Sequence, residues 1–205
     1  MGKHEELKNL TNSIKCLIVF ENKTAALYGD IADKTIDLPL VKSLLLTIGH
    51  DSEKHSTILK GIVQSLPKTS WKSNELPKAM AEAWRSIDAF QVELSDVEEI
   101  LTLDLSNLAA ELNSLEKIMI EAYDVLMRYG NLELMMDALG SVYNLDLELL
   151  KRIFIEVMHD EEHHKEILLT VKELIDQRVL EKKDLSPVVR FQNPDAWNVP
   201  ATATG

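Results

Sequence analysis

The chain of 205 residues is long enough to bury a sizeable core as one domain, and its scarcity of aromatics (5%), with 7 Gly and 6 Pro, points to an all-α protein rather than a sheet. A formal charge of −12 excludes nucleic acid and an anionic membrane surface as expected partners, because phosphate recognition needs Lys and Arg gathered on one face. Cys16 is the only cysteine, which leaves no disulfide framework and no CxxC pair. The opening MGKHEELKNL reads as neither a secretory signal nor a myristoylation site, and no stretch approaches the roughly 18 apolar residues of a membrane span. A cytoplasmic setting is therefore expected.

The first helix is expected from Glu5 to Asp33, where Leu7, Leu10, Ile14, Leu17, Ile18, Thr24, Ala25, Tyr28 and Ile31 form one helical stripe. Glu21 lies in the middle of that stripe and is read as buried. Pro39 in IDLPL cannot occupy a helix interior but suits the first turn of a second helix, Pro39 to Gln64. Its stripe runs Leu45, Ile48, Ser52, His55, Leu59, Ile62, and Gly49 one turn earlier allows a close helix approach or a local bulge. Pro67 is expected to end it.

Residues 67 to 104 are the least regular part of the body, with a short helix expected from Pro77 to Phe90 and a second helix start of the capping-box kind at Ser95, Asp96 and Glu98. So long a connection fits a crossover along a helical bundle, joining helices two and three that run parallel. Helix three is expected from Asp104 to Tyr129, with an inner stripe of Leu105, Ala109, Leu112, Glu116, Met119, Tyr123 and Leu126. Glu116 is preferred to Glu121 as its inward carboxylate, since Lys117, Asp124 and Arg128 surround the latter. Gly130 to Gly140 read as a joint with a short helical turn at Leu132 to Ala138. Helix four then starts between Ser141 and Asp146 and reaches about Leu180. The body is thus 1–181, and 182–205 is an irregular C-terminal tail with Phe191 and Trp197 as its candidate anchors.

Helix four carries HDEEHHKEIL, His159 to Leu168, within the stripe Leu150, Phe154, Val157, Glu161, His164, Leu168, Val171, Ile175. An unpartnered buried carboxylate is costly, so a cation is expected beside Glu161 and His164. HDSEKHSTIL, His50 to Leu59, repeats this stretch in register, with His55 in the place of His164 and Ser52 in that of Glu161. FENKTAALY and LEKIMIEAY extend the repeat to helices one and three, each placing a tyrosine, Tyr28 or Tyr123, seven residues after its glutamate. Two-metal carboxylate bundles take one Glu from each of two helices and Glu-x-x-His from each of the other two. Here Glu21, Glu116, Glu161, His55 and His164 fill that pattern, and Ser52 alone departs from it.

The ordered set resembles the ferritin-like di-iron superfamily, most closely its rubrerythrin and erythrin branch, over about residues 5 to 180. The resemblance implies a four-helix bundle in which Glu21 and Glu116 are terminal metal ligands, Glu161 bridges, and His55 and His164 supply one nitrogen per metal. Asp51 and Asp160 match the superfamily's outer aspartates, each expected to hold the imidazole N–H of the histidine one turn along. Two iron ions are the expected cofactor, with manganese or zinc as alternatives, since carboxylates with two imidazoles suit iron or manganese better than copper. The function implied is an oxidoreductase acting on peroxide or dioxygen, fed by a separate electron-donor protein and assembled as a homo-oligomer. Two alternatives stay open: a ferroxidase that stores iron, and a non-enzymatic bundle with a structural or degenerate site. With Ser52 in place of the second bridging Glu, two divalent ions keep a positive charge that an exogenous anion could balance. Glu53 lies about 100° away around the helix and is a poor substitute. His50, His159 and His163 are expected on polar faces.

Overall fold

The computed structural model describes residues 2–35, 37–66, 68, 78–95, 102–143 and 146–191. Those residues form six helices and no strand: α1 (Lys3–Lys34), α2 (Pro39–Gln64), α3 (Lys78–Ser95), α4 (Thr102–Met127), α5 (Tyr129–Tyr143) and α6 (Leu147–Phe191). None of the described helices is long and apolar enough to cross a membrane.

α1 pairs with α2 along most of its length, and α4 pairs with α6 in the same way. In α1 the stripe buries Leu10, Ile14, Leu17, Phe20, Leu27, Tyr28 and Ile31, and α2 answers with Val41, Leu45, Ile48, Leu59 and Ile62. Glu5 and Glu6 stand in the first turn of α1 and Lys34 in its last, each favourable toward the helix dipole. Thr35 closes α1 by donating its N–H to the Ala32 carbonyl and its hydroxyl to that of Ile31. Pro39 opens the next helix, where its missing N–H is no loss. Gly49 does not interrupt α2. A Cβ there would stand 3.4 Å from the Ala25 carbonyl oxygen and 3.5 Å from the Tyr28 Cβ, so the glycine serves a close approach to α1.

Between α4 and α6 the helical turn expected at Leu132 to Ala138 is a full helix, α5. Its own stripe of Leu132, Met135 and Leu139 is buried, and the chain bends away from α4 at Arg128, whose carbonyl accepts from the Asn131 N–H at 2.9 Å. Asp146 starts α6 as a side-chain cap, its Oδ1 accepting from the Leu149 N–H at 2.7 Å.

α3 lies against α1 and α4 and runs past the expected Phe90. Ile87 and Leu94 are buried, Lys23 of α1 pairs with Asp88, and the Lys23 ammonium sits 4.7 Å from the centre of the Trp84 ring. Ser95, expected to open a helix, instead closes α3, donating its hydroxyl to the Val92 carbonyl at 2.7 Å. Asp96, Glu98, Pro67 and Pro77 lie outside the described residues.

The last helix continues to Phe191, past the boundary expected at 181. Leu180 to Asp184 reads LEKKD, helix-favouring residues that give no stop, and Pro187 falls within the helix rather than beyond its end. Trp197 and the rest of 192–205 lie outside the described residues, as does the side chain of Phe191.

Candidate metal centre

The helical stripes carry five polar donors to one place in the apolar core: Glu21 from α1, His55 from α2, Glu116 from α4, and Glu161 with His164 from α6. None of these residues is more than 1% exposed. Ligand atoms of Glu21, His55 and Glu161 all lie within 4.8 Å of one another, and so do those of Glu116, Glu161 and His164. Glu161 therefore belongs to both groups. Its Oε1 is 2.8 Å from His55 Nδ1, and its Oε2 is 3.7 Å from His164 Nδ1. The remaining nitrogen contacts are His55 Nδ1 to Glu21 Oε1 at 3.4 Å and His164 Nδ1 to Glu116 Oε2 at 3.1 Å.

Two of the three glutamates and both histidines meet a partner from across the molecule. Tyr28 of α1 donates its hydroxyl to Glu116 of α4, and Tyr123 of α4 donates to Glu21 of α1. His55 Nε2 faces Asp160 Oδ2 of α6 at 3.0 Å, and His164 Nε2 faces Asp51 Oδ2 of α2 at 3.5 Å. In both pairs of helices the later residue on one meets the earlier residue on the other, so α1 runs antiparallel to α4 and α2 antiparallel to α6. This corrects the expectation that each aspartate holds the histidine of its own helix. Residues four apart on a helix are offset by about 40° around its axis, which turns Asp51 and Asp160 off the inner stripe and onto the facing helix.

Both imidazoles turn Nδ1 toward the glutamates and Nε2 toward an aspartate. A carboxylate on Nε2–H leaves the Nδ1 lone pair free for a metal. The residues fit a cation on a further ground. His55 Nδ1 and Glu161 Oε1 are both buried and neither has a hydrogen-bond partner, although they lie 2.8 Å apart, so two donor atoms converge without satisfying each other. A divalent ion that prefers oxygen and imidazole nitrogen satisfies both.

The same arrangement shifts the titrating groups. Burial, with the charge of Glu161, pushes Glu21 up to about 7 against the pull of His55 and Tyr123. Burial also raises Glu161. Burial disfavours charge on the imidazoles, yet Glu161 and Glu21 hold His55 up at about 10, and Glu116 and Glu161 do the same for His164. Burial and the neighbouring glutamates drive both tyrosines well above 10, so both remain hydrogen-bond donors.

Ser52 is buried on the inner stripe of α2, at 1% exposure, while Glu53 is exposed. Glu121, His50, His159 and His163 are exposed, in line with their solvated neighbours in sequence. Two turns from the glutamates, Tyr28 and Tyr123 read in the sequence as buried, hydrogen-bonded core tyrosines, but the sequence does not say what they grip. The shared offset of seven residues from each glutamate was the available signal. Lys54 was also passed over, and it reaches Asp51 Oδ1 at 2.6 Å and Asp160 Oδ2 at 2.8 Å. Comparisons with protein families, with curated proteins and with solved structures find no match to this chain, so the reading of the site rests on its own residues.

Proposed function

We propose that the chain is a ferritin-like four-helix bundle holding two divalent metal ions, iron foremost and manganese next, and that it acts as an oxidoreductase on peroxide or dioxygen. The observation that carries this reading is the pair of overlapping donor groups, Glu21–His55–Glu161 and Glu116–Glu161–His164, joined by one shared carboxylate. The topology supports it too. α1 and α2 are joined by a short connection and packed along their length, so α2 runs opposite to α1, as α4 does. α2 and α4 are then parallel, which is the arrangement that a crossover between them calls for.

When bound, the metal pair supplies the redox chemistry. The chain's own side chains do the rest. Glu161 holds the two halves together, and Glu21 and Glu116 close their outer sides in positions set by Tyr123 and Tyr28. Asp160 keeps the His55 proton on Nε2, and Asp51 faces the Nε2 of His164 from 3.5 Å. Ile48, Leu59, Leu112, Met119, Val157 and Leu168, buried on the same stripes, exclude bulk water. On this reading electrons come from an external donor, since these 205 residues hold one cysteine, Cys16, and no CxxC pair.

A second reading has its own support. Two imidazoles held protonated at about 10 against three glutamates nearly balance charge without any metal, and Ser52 removes the carboxylate that would tip the balance toward cations. On that reading the bundle is non-enzymatic and its surfaces bind a partner. Metal analysis of protein purified without added metal decides between them. The proposal expects two equivalents of iron or manganese per chain and oxidation of the reduced, iron-loaded protein by hydrogen peroxide. Absence of bound metal, with none taken up anaerobically, overturns it. Solution mass tests iron storage, which demands a closed shell of many subunits, whereas a smaller homo-oligomer suits the oxidoreductase.

A further inference from the structure

We infer that Lys54 is a positioning residue that holds both histidines at once. Asp51 and Asp160, on different helices, converge on its ammonium at 2.6 and 2.8 Å; Asp160 also hydrogen-bonds His55 Nε2 at 3.0 Å, and Asp51 is the carboxylate facing the buried His164 Nε2, at a longer 3.5 Å. Both carboxylates lie within hydrogen-bonding distance of a single atom and therefore lie close to each other. Two like charges so placed repel unless a cation stands between them. Lys54 is that cation, and without it the aspartates splay apart and release both imidazoles. The repeat places exposed His163 where Lys54 stands, so one ammonium serves both halves. The three side chains are 48%, 25% and 34% exposed for Lys54, Asp51 and Asp160, which makes this the part of the assembly that meets solvent, above donors that are buried.

The inference builds on the metal-site reading, and two measurements keep the two apart. The variants are Lys54→Met, Lys54→Arg and, as a control, Lys165→Met, whose ammonium pairs with Glu162 on α6 at 2.8 Å. In metal-free protein, the imidazole nitrogen resonances report the hydrogen bonds of each ring directly. Lys54→Met shifts the Nε2 signals of both His55 and His164, Lys54→Arg restores them, and Lys165→Met leaves them in place. A shift in neither ring, or in one only, overturns the inference. In anaerobic Fe(II) titrations, Lys54→Met weakens both equivalents by roughly three- to tenfold, less than loss of a direct outer partner because this cation acts at one remove and near solvent. Unchanged affinity at either equivalent overturns it, as does faster uptake at unchanged affinity, the signature of a latch over an entry path. If the parent protein binds no metal, the proposed function falls and the ring resonances alone decide the role of Lys54.

Discussion

Ser52 is the residue at which the two repeats part. Every other donor on one half has its counterpart on the other, and position 52 is as deeply buried as Glu161, at 1% exposure each. Ser52→Glu is therefore expected to complete the second bridge and to raise affinity for the second metal by roughly tenfold, the scale on which metal sites respond to a well-placed supporting group. Space opposes this, since a longer side chain in a filled core costs about 1 to 3 kcal/mol in strain. Metal titration and melting temperature, measured together on parent and variant, separate the two effects. A variant as stable as the parent that binds no more metal shows that position 52 does not belong to the site.

At the scale of the helix, Gly49 sets how closely α2 approaches α1. Gly49→Ala places its Cβ at ordinary contact distances, 3.4 Å from the Ala25 carbonyl and 3.5 Å from the Tyr28 Cβ, so the variant keeps the packing and gains up to about 1 kcal/mol of helix propensity. Gly49→Leu has no such room. It pushes α1 away beside Tyr28, drawing that hydroxyl off Glu116, and loses about 1 to 3 kcal/mol in chemical denaturation. Equal stability of the alanine and leucine variants would remove the close-approach role. What the sequence made legible belongs to this scale. Periodicity decides which residues of one helix face inward, and that was enough to find Glu21, His55, Glu116, Glu161 and His164 and to set Glu121 aside. It says nothing of which neighbour a side chain meets once inside. Hence the aspartates were matched to the wrong histidines, the partners of the tyrosines were left unnamed and Lys54 went unnoticed, for each acts between helices. Helix ends escaped for a different reason. Gly130 and Pro187 carry breaking tendencies yet both fall within helices, and Ser95 offers a hydroxyl equally usable at either end of a helix.

For the molecule as a whole, the buried cluster links stability to pH and to metal. His55 and His164 ordinarily titrate near 6.5 but are held up at about 10, and Glu21 is pushed up to about 7. These groups bind protons more tightly in the folded protein than in the unfolded chain. Their contribution is therefore complete below their unfolded values and is lost as pH rises, through about 7 for Glu21 and toward about 10 for the histidines. A metal ion must displace the Nδ1 protons, so its binding releases protons and strengthens as pH rises. The metal-free protein should accordingly lose stability from about pH 6 to about pH 9 while the increment in melting temperature given by metal grows. Calorimetry with and without a chelator across that range checks this, and calorimetric titration in buffers of different ionisation enthalpy counts the protons released. An increment that stays flat with pH would mean that metal does not compete with these protons.

The crossed grips have one mechanical consequence. Tyr28 on Glu116, Tyr123 on Glu21, Asp160 on His55 and Asp51 on His164 all reach from one helical pair, α1 with α2, to the other, α4 with α6. A slide of one pair along the other by a single turn breaks all of them together, because the two tyrosine grips and the two aspartate grips share one register. The joint is keyed like a bolt in its slot, so the two halves dock in one register or not at all.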